Sequence, residues 1–164
     1  MGIVMRSLVK ARNRQEIRLD AQDRPTLLWR GTSYRTVLGA AESQGTVSIV
    51  ESVSPAGSGP PRHVHEIADE SFVILTGECL FWVGGAEFTR GPGETAFIPR
   101  GVEHTFRVLG EVECRHYTIL SPGGFEAFFV EMAQGQFRIP EDMPQVLEVA
   151  SRHNLRFTGP PLAE

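Results

Sequence analysis

The 164-residue chain is expected to fold as an all-β sandwich or barrel followed by a short helical tail. Three observations predict this. Short segments rich in Val, Ile, Phe and Thr recur every eight to twelve residues through the middle of the chain. Glycine-bearing turns separate them, and no segment between them is long enough for a crossover helix. The 17 glycines and 11 prolines suit a chain that turns this often.

The first strands are expected over 34–38 and 46–53, and the run from Pro55 to Pro61, all Pro, Gly, Ser and Ala, can only be a loop. Strands follow over 71–75, 79–83, 86–89, 95–98, 104–108 and 112–120, with Thr76-Gly77-Glu78 and Gly84-Gly85 as tight turns. Pro122-Gly123-Gly124 closes the last of them. Phe125, Phe128, Phe129 and Met132 then recur at helical spacing, an apolar stripe that reads as packing or interface rather than a cofactor site. A second helix is expected from Pro140 to His153, with Met143, Val146, Leu147 and Ala150 as its stripe and Glu141 and Asp142 in its first turn. No repeat or linker divides the chain. It reads as one domain over 1–164, with the barrel at about 28–121 and the helical tail at about 122–164.

Composition narrows the function. A formal net charge of −4 has the wrong sign for a nucleic-acid binder. Residues 1–10, with Arg6 and Lys10, hold an apolar stretch too short for a signal-peptide core, and no apolar run approaches the ~18 residues of a membrane span. A cytoplasmic protein without membrane contact is expected. Cys79 and Cys114 stand apart without a CxxC pattern and are expected as two buried thiols, not a zinc site or redox pair. Gly91-Pro92-Gly93 imitates part of a dinucleotide fingerprint, but Pro92 and the strand after it deny the helix that would hold the phosphates.

The histidines carry the chemistry. His63 and His65 lie two apart, which on a strand sends both imidazoles to one face, a spacing suited to metal ligation. Glu70 opens the next strand and shares a face with Phe72 and Ile74, where a carboxylate needs a cationic partner. His104 follows the turn Pro99-x-Gly101.

These residues resemble the cupin motifs. Gly57, five residues, His63, one, His65, four, Glu70, six, Gly77 matches the first motif; Gly93, five residues, Pro99, one, Gly101, two, His104 matches the second. Val108 stands where the family often has Asn, a position that is not a ligand there. The resemblance implies a jelly-roll barrel, the cupin-type double-stranded β-helix, with His63, His65, Glu70 and His104 converging on one divalent metal. Three imidazoles and a carboxylate suit Fe, Mn, Ni, Co, Cu or Zn, and affinity alone does not select among them. With one carboxylate on a dication, the site would attract an enolate, phenolate or carboxylate. Pro60, Pro61, Pro99 and Gly101 fix the loop ends that hold the ligands.

The phrases PPRHVHEIADESFVILTGE, FWVGG, GPGETAFIPRGVEHTFRV and SPGGFEAFF resemble single-domain cupins of the quercetin 2,3-dioxygenase-like group. That narrower resemblance implies a metal-dependent dioxygenase opening a flavonol-like or other enolisable small molecule with O2, Glu70 acting as general base. The alternatives are a metal-containing cupin that binds or senses a small molecule, and a non-oxidative isomerase, lyase or hydrolase. The apolar wall of the substrate pocket is expected from Phe72, Ile74 and Phe106, with Trp82 and Phe97 as further candidates. His116 either reaches the cavity or is a hydrogen-bonded strand residue. Arg62, Arg100 and Arg107 read as solvated or rim charges. The apolar strands and the Phe-rich tail point to a homodimer.

Overall fold

The computed structural model describes residues 24–163; the N-terminal reading of residues 1–10 lies outside them. Eleven strands form two antiparallel sheets in the described chain. They are β1 (Leu27–Trp29), β2 (Thr32–Leu38), β3 (Ser48–Ser54), β4 (Arg62–His65), β5 (Asp69–Thr76), β6 (Cys79–Val83), β7 (Ala86–Arg90), β8 (Thr95–Ile98), β9 (His104–Val108), β10 (Cys114–Ser121) and β11 (Leu155–Gly159). Helices α1 (Ala40–Ser43), α2 (Glu126–Gly135) and α3 (Met143–Arg152) complete it. One sheet has the order β1-β2-β3-β10-β5-β8, the other β11-β4-β9-β6-β7. This is the predicted all-β jelly roll with short C-terminal helices.

The alternation of the strands builds the interior. Along β5, Glu70, Phe72 and Ile74 are buried while the residues between them are not, so one face of the sheet looks into the barrel. The β6–β7 hairpin turns on Gly84 and Gly85, both at positive φ, the geometry a two-residue primed turn demands. At the closed end Phe72, Ile74, Phe81, Ile98, Val108 and their neighbours form one core cluster. Cys79 and Cys114 are buried there as expected. They are not separate, however: β6 and β10 come from different sheets, and the Cys79 thiol donates to the Cys114 sulfur at 3.3 Å. Pairing by fold rather than by spacing is invisible in sequence.

The tail departs from the expectation of helices alone. After α3 the chain returns as β11 and pairs with β4, Leu155 opposite His65 and Phe157 opposite His63. The helix α3 begins at Met143, with Asp142 as its N-cap and a proline in its first turn, so Glu141 and Asp142 precede the helix and Pro140 lies in the turn before it. Its buried stripe is Val146, Val149 and Ala150, whereas Leu147 is 48% exposed. The reason is phase: the barrel meets the face centred between Val146 and Val149. Together with Phe128 and Met132 of α2, Leu155 and Leu120, these side chains form a second core cluster at the other end of the molecule.

The Pro-rich loop is clamped to β9. Gly57 N–H donates to Val108 O, Val108 N–H to Ser58 O, and the Thr105 hydroxyl to Pro60 O at 2.7 Å. Gly59 lies so close that an added Cβ would sit 1.9 Å from the carbonyl oxygen of Phe106, so only glycine admits this approach.

Candidate metal centre

The clamped loop leads directly into β4, which presents His63 and His65 inward. His63 lies opposite His104 in the β4–β9 ladder, and the ring centroids are 4.3 Å apart. Gly101 N–H donates to His65 O at 2.8 Å, tying the turn before His104 to the first pair. These three imidazoles come from the five-stranded sheet. Glu70 comes from β5 of the other sheet and reaches across, its Oε2 2.7 Å from His104 Nε2 and 3.5 Å from His65 Nε2. One potential ligand atom from each of the four lies within 4.8 Å of the others, and all four residues are buried.

Hydrogen bonds orient the rings. His63 Nδ1 donates to Pro61 O at 2.8 Å and His104 Nδ1 donates to Val102 O at 2.9 Å, so in both rings Nε2 is the nitrogen left for coordination. His65 Nε2 is buried without a hydrogen-bond partner. Such an orphan is costly unless a cation or another group fills the position.

Within the cluster the shifts favour a neutral His63 beside an ionised Glu70. Burial, reinforced by the neighbouring imidazoles of His104 and His65, pushes His63 down to about 3. Burial alone would raise Glu70, but His65 and His104 outweigh it and hold its carboxyl well below the usual range. His104 moves the other way: burial opposes its charged form, but the hydrogen bond and charge of Glu70 raise it. The donor set, the fixed tautomers and the orphan nitrogen therefore fit one divalent transition metal.

A cavity of about 350 Å³ opens onto these residues. Phe72, Phe106 and His116 line it, as do His63, His65 and Glu70. Three candidates for its wall lie elsewhere. Ile74 sits fully buried in the closed-end core cluster with Phe72, Phe81 and Ile98. Phe97 is 60% exposed because it has the opposite parity to the buried Ala96 and Ile98. Trp82 likewise alternates with buried Phe81 and carries the Arg62 guanidinium 4.2 Å from its ring centroid. Arg100 is exposed and paired with Asp69, and Arg107 lies at the cavity wall, with Nη1 donating to Ala163 O at 3.3 Å.

The tail aromatics supply the missing wall. Phe125, Phe128, Phe129 and Phe157 line the cavity with Trp29 and Tyr34. Phe125 stands edge-on to His65 at 4.4 Å between centroids, and Tyr34 stacks on Phe129 at 4.5 Å. The helical spacing of these aromatics signals a buried face but does not say that part of it borders a cavity. Phe157 is signalled only by the alternation Leu155, Phe157 in a short strand.

Residues 49–120 match the Cupin domain family. Over 115 residues the chain is 30% identical to quercetin 2,3-dioxygenase of Bacillus subtilis (strain 168), covering 68% of this chain and 33% of that protein. Over 104 residues it is 30% identical to endoribonuclease YbeY of Myxococcus xanthus (strain DK1622), covering 63% and 34%. The chain thus spans about a third of the length of these curated relatives. Among solved structures, a predicted oxalate decarboxylase from Thermotoga maritima superposes with a TM-score of 0.57 at 19% identity, over 63% of this chain and 97% of that one. The polyketide cyclase RemF from Streptomyces resistomycificus gives 0.54 at 23% identity, over 63% and 78%. These two likenesses carry the fold. Among the described residues no helix is long and apolar enough to cross a membrane.

Proposed function

The chain is a member of the cupin superfamily, and on that premise we propose that it is a metal-dependent dioxygenase acting on a flavonol-like or other enolisable aromatic molecule. One juxtaposition supports this most strongly: three imidazoles and a carboxylate converge, and His63, His65 and Glu70 of this cluster border a cavity whose wall carries eight Phe, Tyr and Trp rings. In this reading His63, His65, Glu70 and His104 hold one divalent ion of Fe, Mn, Ni, Co, Cu or Zn. The ion would supply Lewis-acid polarisation of the substrate oxygen.

The remaining work falls to the side chains. The backbone bonds of His63 and His104 hold their rings in place while substrate enters. Glu70 is ionised at neutral pH and accepts the proton of the substrate hydroxyl on a carboxylate oxygen, leaving an enolate in the site. Phe72 and Phe106, centroids 5.3 Å apart and inclined at 63°, offer a face and an edge to a planar ring. Phe125 and Phe128, stacked at 5.0 Å, cover the side next to His65 and keep water from the reacting oxygen.

The test is O2 consumption by the metal-loaded full chain with a panel of flavonols and simpler enols. Uptake coupled to loss of the flavonol is expected, with Glu70→Gln slowing kcat by about a hundredfold or more. Full metal loading without O2 uptake on any of these molecules would contradict the oxygenase reading and favour a non-oxidative or binding role.

A further inference from the structure

The cavity has a second polar region, four strand positions from Glu70. Leu120 of β10 pairs with Glu70 of β5, and His116 pairs with Ile74, so on the shared inner face His116 lies roughly 13 Å further along the strands. Its other cross-strand partner is Ser52 of β3. His116 is only 2% exposed, yet both ring nitrogens make only long contacts, Nε2 to Ser54 Oγ and Nδ1 to Thr118 Oγ1, each at 3.4 Å. Good bonds of this type are about 2.7–3.2 Å. Ser52, also 2% exposed, borders the cavity as well. A sheet interior that carries an imidazole and three hydroxyls without closing them on one another has hydrogen-bonding capacity left for a guest.

The flanking rings define what that guest looks like. Phe72 and Phe106 each lie 5.5 Å from the His116 ring, and both stand in the cavity between the metal-ligand cluster and the polar region. We propose that His116, with Ser52, Ser54 and Thr118, forms a recognition pole for the far end of a planar aromatic ligand whose near end carries the acidic enol. The ligand class is then a two- or three-ring aromatic with two separated oxygen functions: an enol or phenol toward Glu70 and a neutral hydroxyl or carbonyl toward His116. Burial holds the imidazole neutral, down to about 4, so it offers one donor and one acceptor and suits an uncharged oxygen rather than a carboxylate.

This rests on the reading of the cavity as the ligand site, and its test separates the two. Binding of 3-hydroxyflavone and of 3,7-dihydroxyflavone to the metal-loaded full chain is measured by calorimetry without O2, with bound metal assayed in every sample. The dihydroxy compound, whose extra hydroxyl lies at the end of the fused ring away from the enol, is expected to bind the wild type about fivefold to tenfold more tightly. His116→Phe is expected to erase that preference with metal content unchanged, while His116→Gln and Ser54→Ala keep part of it. Equal loss of both ligands in His116→Phe, or a preference that survives it, would overturn the pole. Binding of neither compound by fully metal-loaded wild type would overturn the ligand class, whereas sub-stoichiometric metal in the wild type would overturn the site beneath it.

Discussion

Glu51 is buried on the outer side of the six-stranded sheet, where Arg35 of β2 and Arg115 of β10 both bond its carboxylate across the ladders. Burial opposes the charge, but the two guanidiniums outweigh it and lower the pKa. A depressed folded pKa adds stability above the unfolded carboxylate value, and that stability is lost as pH falls through the folded value. Glu51→Gln is therefore expected to lower the denaturation midpoint at neutral pH, with the gap to wild type closing as acid is added. Denaturant melts across pH check this. At the same scale His63, His65, Glu70 and His104 were legible because their spacing and a strand's period of two place them on inward faces. Ile74 faces inward as parity predicts but is fully buried in the core cluster with Phe72, Phe81 and Ile98, and parity does not say which inward side chains border open space.

At the scale of elements, β11 is what the sequence conceals. A five-residue strand after a helix has only Leu155 and Phe157 to announce it, and its partner β4 lies far earlier in the chain. Leu155 packs in the tail-end core beside Val146 and Phe128. Leu155→Ala is expected to cost about 3 kcal/mol in chemical denaturation and, since Leu155 pairs with His65, to speed metal release to a chelator. The motif turns are the opposite case, since glycine marks them directly. Gly77 and Gly93 both hold positive φ, but a Cβ at Gly77 would lie 2.6 Å from Glu113 O whereas Gly93 faces open space. Gly93→Ala is expected to cost about 1–2 kcal/mol for the backbone alone and Gly77→Ala clearly more, as paired denaturation curves will show.

Across the whole molecule the ligand cluster joins the two sheets, three imidazoles from one and the carboxylate from the other. An ion held there binds only the folded arrangement. At a free concentration a hundred times its Kd it should add about 2.7 kcal/mol of stability, so a chelator should lower Tm by roughly 5–10 °C. The barrel and its turns could be read from strand spacing and glycines, but the cavity could not. Its walls come from Trp29, the tail aromatics and both sheets, brought together only by tertiary folding. The most direct measurement of the account is metal per chain, by elemental analysis after loading and desalting, in the wild type and in His63→Ala, His65→Ala and His104→Ala, with Phe97→Ala as a control remote from the site. About one equivalent in the wild type and control, and strong loss in each histidine variant, is the predicted result; little metal in the wild type, or full metal in the histidine variants, would contradict it.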